Sequence, residues 1–189
     1  MHDAVLISIR PRWCALIASG KKTIEVRRTR PDLPPPFKCY IYCTVGAGKK
    51  DMLTPCNNTA DIRNGKVIGE FTCNEIDDYV LCGGLLYEKR YVRMDRQFYA
   101  HSINYQAMCL SEDEFADYAA GRKMRGWHIS KLTIYDRPCE LADFWRPCEP
   151  GDPDAEALCY ECTRDWENFC GQERITRAPQ SWCYVEELA

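Results

Sequence analysis

Apolar residues come in short bursts along this chain, and their spacing changes from burst to burst. Residues 4–9, AVLISI, form an apolar run of strand length and predict a buried strand. Residues 11–19, PRWCALIAS, place Trp13, Leu16 and Ile17 at the i, i+3, i+4 spacing of a helix face. Pro11 suits its first turn and Gly20 its stop. TIEVR, residues 23–27, alternates like the next strand. RPDLPPP, residues 30–36, is a rigid loop barred from a sheet interior. FKCYIYCTV, residues 37–45, is a strong strand with Phe37, Cys39, Ile41, Cys43 and Val45 on one side. Residues 46–65 read as a loop or hairpin excursion. Residues 66–80 form a long strand, with Val67, Gly69, Phe71 and Cys73 opposite Ile68, Glu70 and Thr72. Residues 81–110 show no clear period. Ser111 with Glu114 three positions later is a capping-box signature, and Gly121 is the stop of that helix. WHISKLTIYD, residues 127–136, is another strand, PCELADF a short helical turn, and SWCYVEEL the closing strand.

About six strands and two or three helices follow, without the regular alternation of a doubly wound sheet. The expected class is α+β: a small mixed β-barrel with helices at its ends. The 189 residues suit one domain over the whole chain. It would carry insertions at about 81–110 and 146–178, the second of them rich in cysteine.

The net charge of -3 points to no polyanionic partner, but its distribution is uneven. Between Arg10 and Arg30 lie seven lysines and arginines and one acid, Glu25. Between Glu149 and Glu173 lie eight acids and one base. This asymmetry fits one basic functional face on an otherwise acidic protein, or two charged segments that attract each other. No stretch has the roughly 20 apolar residues of a membrane helix, and the first residues lack a signal-peptide pattern, so a cytoplasmic protein without a membrane partner is expected. Thirteen cysteines are then reduced thiols rather than a disulfide framework.

The lone acid stands in a corner between helix and strand. Glu25 and Arg27 are two apart on a strand and share a face with Thr23, while Lys22 precedes them. A carboxylate there would stay ionised beside its cations. It would either form a structural salt bridge or orient Lys22 and Arg27 toward a ligand.

Gly20, Lys22, Glu25 and Arg27 match the G-x-K-x-x-E-x-R signature of the ASCH domain, a family with a PUA-like β-barrel. Four blocks in order also resemble that family: ISIRPRWCALIASGKKTIEVR, GKVIGEFTCNEI, WHISKLTIYD and PQSWCYVE. They look especially like ASCH proteins of phages and prophages of Gram-positive bacteria. The resemblance implies an RNA- or nucleotide-binding cleft lined by Lys22, Glu25 and Arg27. Arg10, Arg12 and Arg28 would be phosphate contacts, with Thr23 beside them. Stacking candidates are Trp13, Trp127 and Trp182, and His128 is a candidate base contact or acid–base group. Tyr and Arg/Lys interleave over residues 87–97, a mix that suits nucleic-acid contact or a flap over the cleft.

Some ASCH proteins are amidohydrolases acting on acetylcytidine, and others are described as ribonucleases. The hydrolase branch uses a lysine in this turn, a threonine three residues on and a distant glutamate. Lys22 matches the lysine, Glu25 stands at the threonine position, and NYQAMCL offers no acid where the glutamate falls. If the protein is an enzyme, Lys22 and Glu25 are its catalytic residues, with Glu70 as an alternative partner of Lys22. A third reading is a phage protein that binds a host protein through the acidic segment. Separately, Cys148, Cys159, Cys162 and Cys170 lie within 23 residues, with one C-x-x-C pair. Four thiolates at that spacing suit a tetrahedral structural zinc.

Overall fold

The computed structural model describes residues 3–45, 64–82, 85–91, 98–101, 103–147 and 174–188. Its elements are β1 (Asp3–Ile9), α1 (Pro11–Ala18), β2 (Ile24–Arg27), β3 (Phe37–Cys43), β4 (Lys66–Cys82), β5 (Leu85–Tyr91) and β6 (Phe98–His101). Then come α2 (Tyr105–Met108), α3 (Glu112–Ala119), β7 (Met124–Cys139), a 3-10 turn (Leu141–Asp143) and β8 (Trp182–Glu186). The sheet order is β2-β7-β4-β3-β1-β8, and β5 and β6 extend it as a ribbon beyond β4. β1 and β3 are parallel, and the other pairs along the path are antiparallel. Arg27 Nη2 donates to Ser8 O at 2.5 Å, so β2 at one end of the order meets β1 near the other. The sheet thus curls into a small barrel with flanking helices.

The near-continuous apolar runs of β1 and β3 have a simple cause. Val5, Ile7, Ile9, Cys39 and Ile41 face the central core with Phe71 and Trp127. Ala4, Leu6, Tyr40 and Tyr42 face a second core with Phe144, Ile175 and Val185. Strands buried on both faces need no polar alternation. A third cluster sits under α2 and α3, where Ile24, Val26 and Tyr79 meet Met108, Phe115 and Met124.

Three expectations from the pattern are corrected here. On β4 the strict alternation fails, because Ile68 shares the central core with Phe71 and Cys73 while Val67 lies in the second. The register shifts between Ile41↔Gly69 and Tyr42↔Val67, so one extra residue of β4 bulges and turns Ile68 inward. On α1 the buried positions are Pro11, Cys14 and Ile17, with Trp13 and Leu16 half-buried at the edge. Val45, expected on the core side of β3, is 74% exposed because the strand has ended at Cys43. The aperiodic 81–110 region contributes β5, β6 and α2, and both β5 and β6 were missed by the pattern. The capping box is present: Ser111 Oγ accepts from Glu114 N, and Glu114 Oε2 accepts from Ser111 N.

Gly69 is required by crowding. A Cβ there would lie 2.3 Å from Thr133 O and 3.0 Å from Ile134 Cα. Gly20 is required by conformation, with φ +71 and open space around it. Gly69→Ala should cost about 1–3 kcal/mol or more, and Gly20→Ala about 1 kcal/mol, in urea unfolding. Equal losses would contradict the crowding at β4.

Burial also pushes the Cys73 thiol from 9.0 up to about 12. The unfolded chain releases that proton near 9.0 and the folded chain near 12, so this contribution to stability is lost as pH rises through that window. Urea unfolding at pH 8 and pH 10.5 should show a steeper fall for wild type than for Cys73→Ala.

Candidate functional site

Helix α1 delivers the site. Its last turn closes with Ser19 N donating to Ala15 O and Gly20 N to Ile17 O. Gly20 at φ +71 reverses the chain, and Lys22 N reaches back to Leu16 O at 3.0 Å. That reversal turns Lys22 into the protein instead of into solvent. Lys22 is 3% exposed and Glu25 5%. Lys22 Nζ lies 3.4 Å from Glu25 Oε2, and Arg27 Nη2 lies 3.1 Å from Glu25 Oε1. Each carboxylate oxygen holds one cation.

Backbone carbonyls complete the set. Lys22 Nζ donates to Met108 O at 2.7 Å, and Arg27 Nη2 to Ser8 O. The Lys22 ammonium also sits 5.0 Å from the centre of the Trp13 ring. Four elements therefore converge on one buried carboxylate: the α1 turn, β1, β2 and α2. The same field reaches Cys14, whose thiol is pushed well above 9.0 by burial, then by Cys43 and Glu25, with Arg27 opposing.

The ion triad forms the floor of a cleft of about 690 Å³, within the range of small-molecule pockets. Ser8, Arg10, Trp13, Thr44, Pro179 and Gln180 also line it. Leu110 and the α3 residues Glu114, Asp117 and Tyr118 line it as well. Val26 is a further lining residue. The lining is thus mixed in charge: basic on the floor and at Arg10, acidic along α3.

The structure separates the sequence candidates. Arg10, Trp13, Lys22, Glu25 and Arg27 all line the cleft. Arg10 makes no ion pair among the described residues. Arg12 lies 4.5 Å over the Trp13 ring and 3.7 Å from Glu114 Oε1, tethering α1 to α3. Arg28 donates to Tyr118 O at 3.2 Å and lies 5.5 Å from its ring, tethering β2 to α3. Thr23 is exposed and uses its backbone instead, N–H to Ala107 O and C=O from Ile129 N. His128 pairs with Ile24 on the sheet face opposite Glu25 and lies 2.7 Å from Asp77 Oδ2. Asp77 Oδ2 also accepts from Tyr79 OH at 3.0 Å. Trp127, offered above as a stacking platform, is fully buried against Phe37 and presents no free face. Trp182 packs on Trp127 and donates from Nε1 to Thr29.

Residues 92–97 and all of Cys148, Cys159, Cys162 and Cys170 lie outside the described residues. Among the described residues no group of three or more His, Cys, Asp and Glu is placed to hold a metal ion. No described helix is long and apolar enough to cross a membrane.

The α3 wall was missed by sequence reasoning, although its signal was present. Phe115 and Ala119 are the buried pair of α3, so Glu114, Asp117 and Tyr118 fall together on an adjoining face. The Met108 and Ser8 carbonyls carry no such signal, because any residue supplies one.

Glu25→Gln should destabilise the protein by about 3–5 kcal/mol, since it leaves two buried cations without their counter-charge. Thermal and urea unfolding measure this. A loss under about 1 kcal/mol would mean that the triad is far better hydrated than its burial implies.

No family model matches the sequence, and no curated protein matches it. Among solved structures, the chain is similar to an ASCH protein from Zymomonas mobilis with a TM-score of 0.52 and 19% identity. That match covers 97% of this chain and 88% of the other. Two single-substitution variants of the same protein give TM-scores of 0.49 and 0.48, again at 19% identity and 97% of this chain, covering 91% and 89% of theirs. The curled sheet, the helices at its ends and this likeness together give the chain the fold of an ASCH domain.

Proposed function

We propose that the protein binds RNA or a nucleotide in the cleft above Lys22, Glu25 and Arg27. The observation that carries this reading is a buried ion triad lining a cleft large enough for one nucleotide, with Arg27 Nε buried and left without a hydrogen-bond partner among the described residues. A fold that hydrates or exposes such charges has no need to fix them. Here three charged groups, two carbonyls and an aromatic ring are spent on their positions. Such fixed dipoles and charges suit recognition of a polar ligand in a partly dry site.

The mixed lining gives the ligand a direction. Phosphate belongs beside Arg10, a lining cation with no ion pair among the described residues, rather than beside Glu114 or Asp117. The base belongs against an aromatic ring of the lining, Trp13 or Tyr118. Tyr118 is 40% exposed, so its ring has surface available for stacking.

An amidohydrolase or ribonuclease reading has less support. The Lys22 amine is engaged by Met108 O and Glu25, where a nucleophile would need a free lone pair. A protein partner docking on the acidic segment rests on residues outside those described. We also propose, from the four-thiol spacing alone, that Cys148, Cys159, Cys162 and Cys170 hold one structural zinc. Metal analysis of purified protein should then give about one zinc per chain, and well under one with reduced thiols would remove that proposal.

Binding is tested with a labelled eight-nucleotide single-stranded RNA by fluorescence anisotropy across a salt series. Arg10→Ala should weaken binding several-fold and lower the salt slope by about 0.7, the share of one phosphate contact on a single strand. An unchanged slope would take Arg10 off the phosphate path. Absence of binding of RNA or nucleoside monophosphates to wild type at low salt would end the nucleotide reading.

A further inference from the structure

The backbone of β2 has two flanks, and only one is used by the sheet. Ile129 N donates to Thr23 O at 2.9 Å. These residues continue the register that pairs Ile24 with His128 and Val26 with Gly126. Bonded and non-bonded pairs alternate along an antiparallel ladder. The Thr23 C=O, and by that alternation Glu25 and Arg27, therefore bond to β7, while Thr23 N–H, ahead of the strand, turns to Ala107 O. Ile24 and Val26 turn their N–H and C=O to the other flank.

At the start of β2 that flank is occupied by α2, through Thr23 N to Ala107 O and Lys22 Nζ to Met108 O. At Val26 it borders the cleft. The Val26 side chain packs away from the cleft, in the apolar cluster with Tyr79, Phe115 and Met124. What Val26 offers the cleft is its backbone. Among the described residues neither its N–H nor its C=O has a hydrogen-bond partner outside the β2–β7 ladder. Val26 is only 4% exposed, and buried backbone groups are nearly always satisfied by protein, water or ligand.

We propose that Val26 N–H and C=O read the hydrogen-bonding edge of a nucleobase held in this cleft, an inference that rests on the nucleotide reading above. One strand residue presents a donor beside an acceptor in a single plane. Each natural base carries the complement on its pairing edge: N3–H with O4 in uracil, the amino group with N3 in cytosine, the amino group with N1 in adenine, N1–H with O6 in guanine. The edge therefore demands a flat heterocycle with adjacent donor and acceptor, and the walls choose among bases. A peptide strand fits less well. Strand addition uses alternate residues along an exposed edge, and β2 has one such residue on the cleft.

The test removes each half of the contact. On the protein side, Val26 is replaced by its α-hydroxy acid, which turns one amide into an ester, deletes the N–H and weakens Glu25 C=O as an acceptor; the same change at Ile24 is the control for the weakened carbonyl. Val26→Pro is the genetic counterpart, tolerable where the N–H lies outside the ladder. On the ligand side, the tightest binder among the four ribonucleoside 5′-monophosphates is compared with its edge-methylated form (3-methyluridine, N4,N4-dimethylcytidine, N6,N6-dimethyladenosine or 1-methylguanosine monophosphate). Calorimetry reads affinity, and circular dichroism with thermal melting confirms that each variant is folded. The ester should bind the natural nucleotide about tenfold more weakly, the size of one hydrogen bond. The ester and methylated base together should cost far less than the product of the separate losses. Wild-type affinity in the ester, or simple multiplication of the two losses, overturns the Val26 proposal and leaves the nucleotide reading standing. If wild type binds none of the four nucleotides, both fall.

Discussion

Three charged side chains are taken out of water at one junction, and the elements around them are held where those charges need partners. Dehydrating an ion costs several kcal/mol even after relaxation, and a single salt bridge seldom offsets that. Glu25 therefore has to receive both Lys22 and Arg27, and each cation needs a further acceptor. Lys22 finds Met108 O and Arg27 finds Ser8 O, residues 86 and 19 positions away. These contacts fix the exit of α1, the tilt of α2 and the approach of β2 to β1. The closure of the barrel and the floor of the cleft are one event. A misplaced α2 would strand an ammonium, and a splayed β2 would strand a guanidinium.

Much of this was legible because it follows from local rules. Gly20 marks the end of α1 because only a residue free of a Cβ takes φ +71 cheaply. Glu25 was conspicuous as one acid among seven bases, and i, i+2 spacing put Arg27 beside it. Ser111 and Glu114 announced α3 by their capping box. What stayed hidden depends on register or on the backbone. The bulge that turns Ile68 inward appears only when β3 and β4 are laid side by side. The face to which His128 belongs is set by its pairing with Ile24, and this places it with Asp77 on the face opposite Glu25. The two carbonyl acceptors of the triad have no sequence signature at all.

The cleft joins two chemistries that composition alone could not apportion. The basic segment from Arg10 to Arg30 does not act as one patch. Lys22 and Arg27 are buried with Glu25, Arg12 and Arg28 are tethers to α3, and Arg10 remains at the cleft wall. Glu114 and Asp117 line the same cleft and disfavour a phosphate beside them. A ligand with one anionic end and one hydrogen-bonding, planar end satisfies both walls. A long polyanion lying across the mouth satisfies only one. On the reading proposed above, that ligand is a single nucleotide or one unstacked base of a strand.

The most direct measurement is a two-dimensional NMR titration of the isotope-labelled protein with the ribonucleoside 5′-monophosphates, following backbone amides together with the arginine Nε–H and tryptophan Nε1–H signals. Saturable shifts concentrated at Arg10, Trp13, Val26, Arg27 and Tyr118, with His128 and β8 unmoved, are the result expected of a ligand seated on the triad. Shifts centred on the His128–Asp77 face, or on the second core beside Phe144 and Ile175, with the cleft signals still, would contradict it.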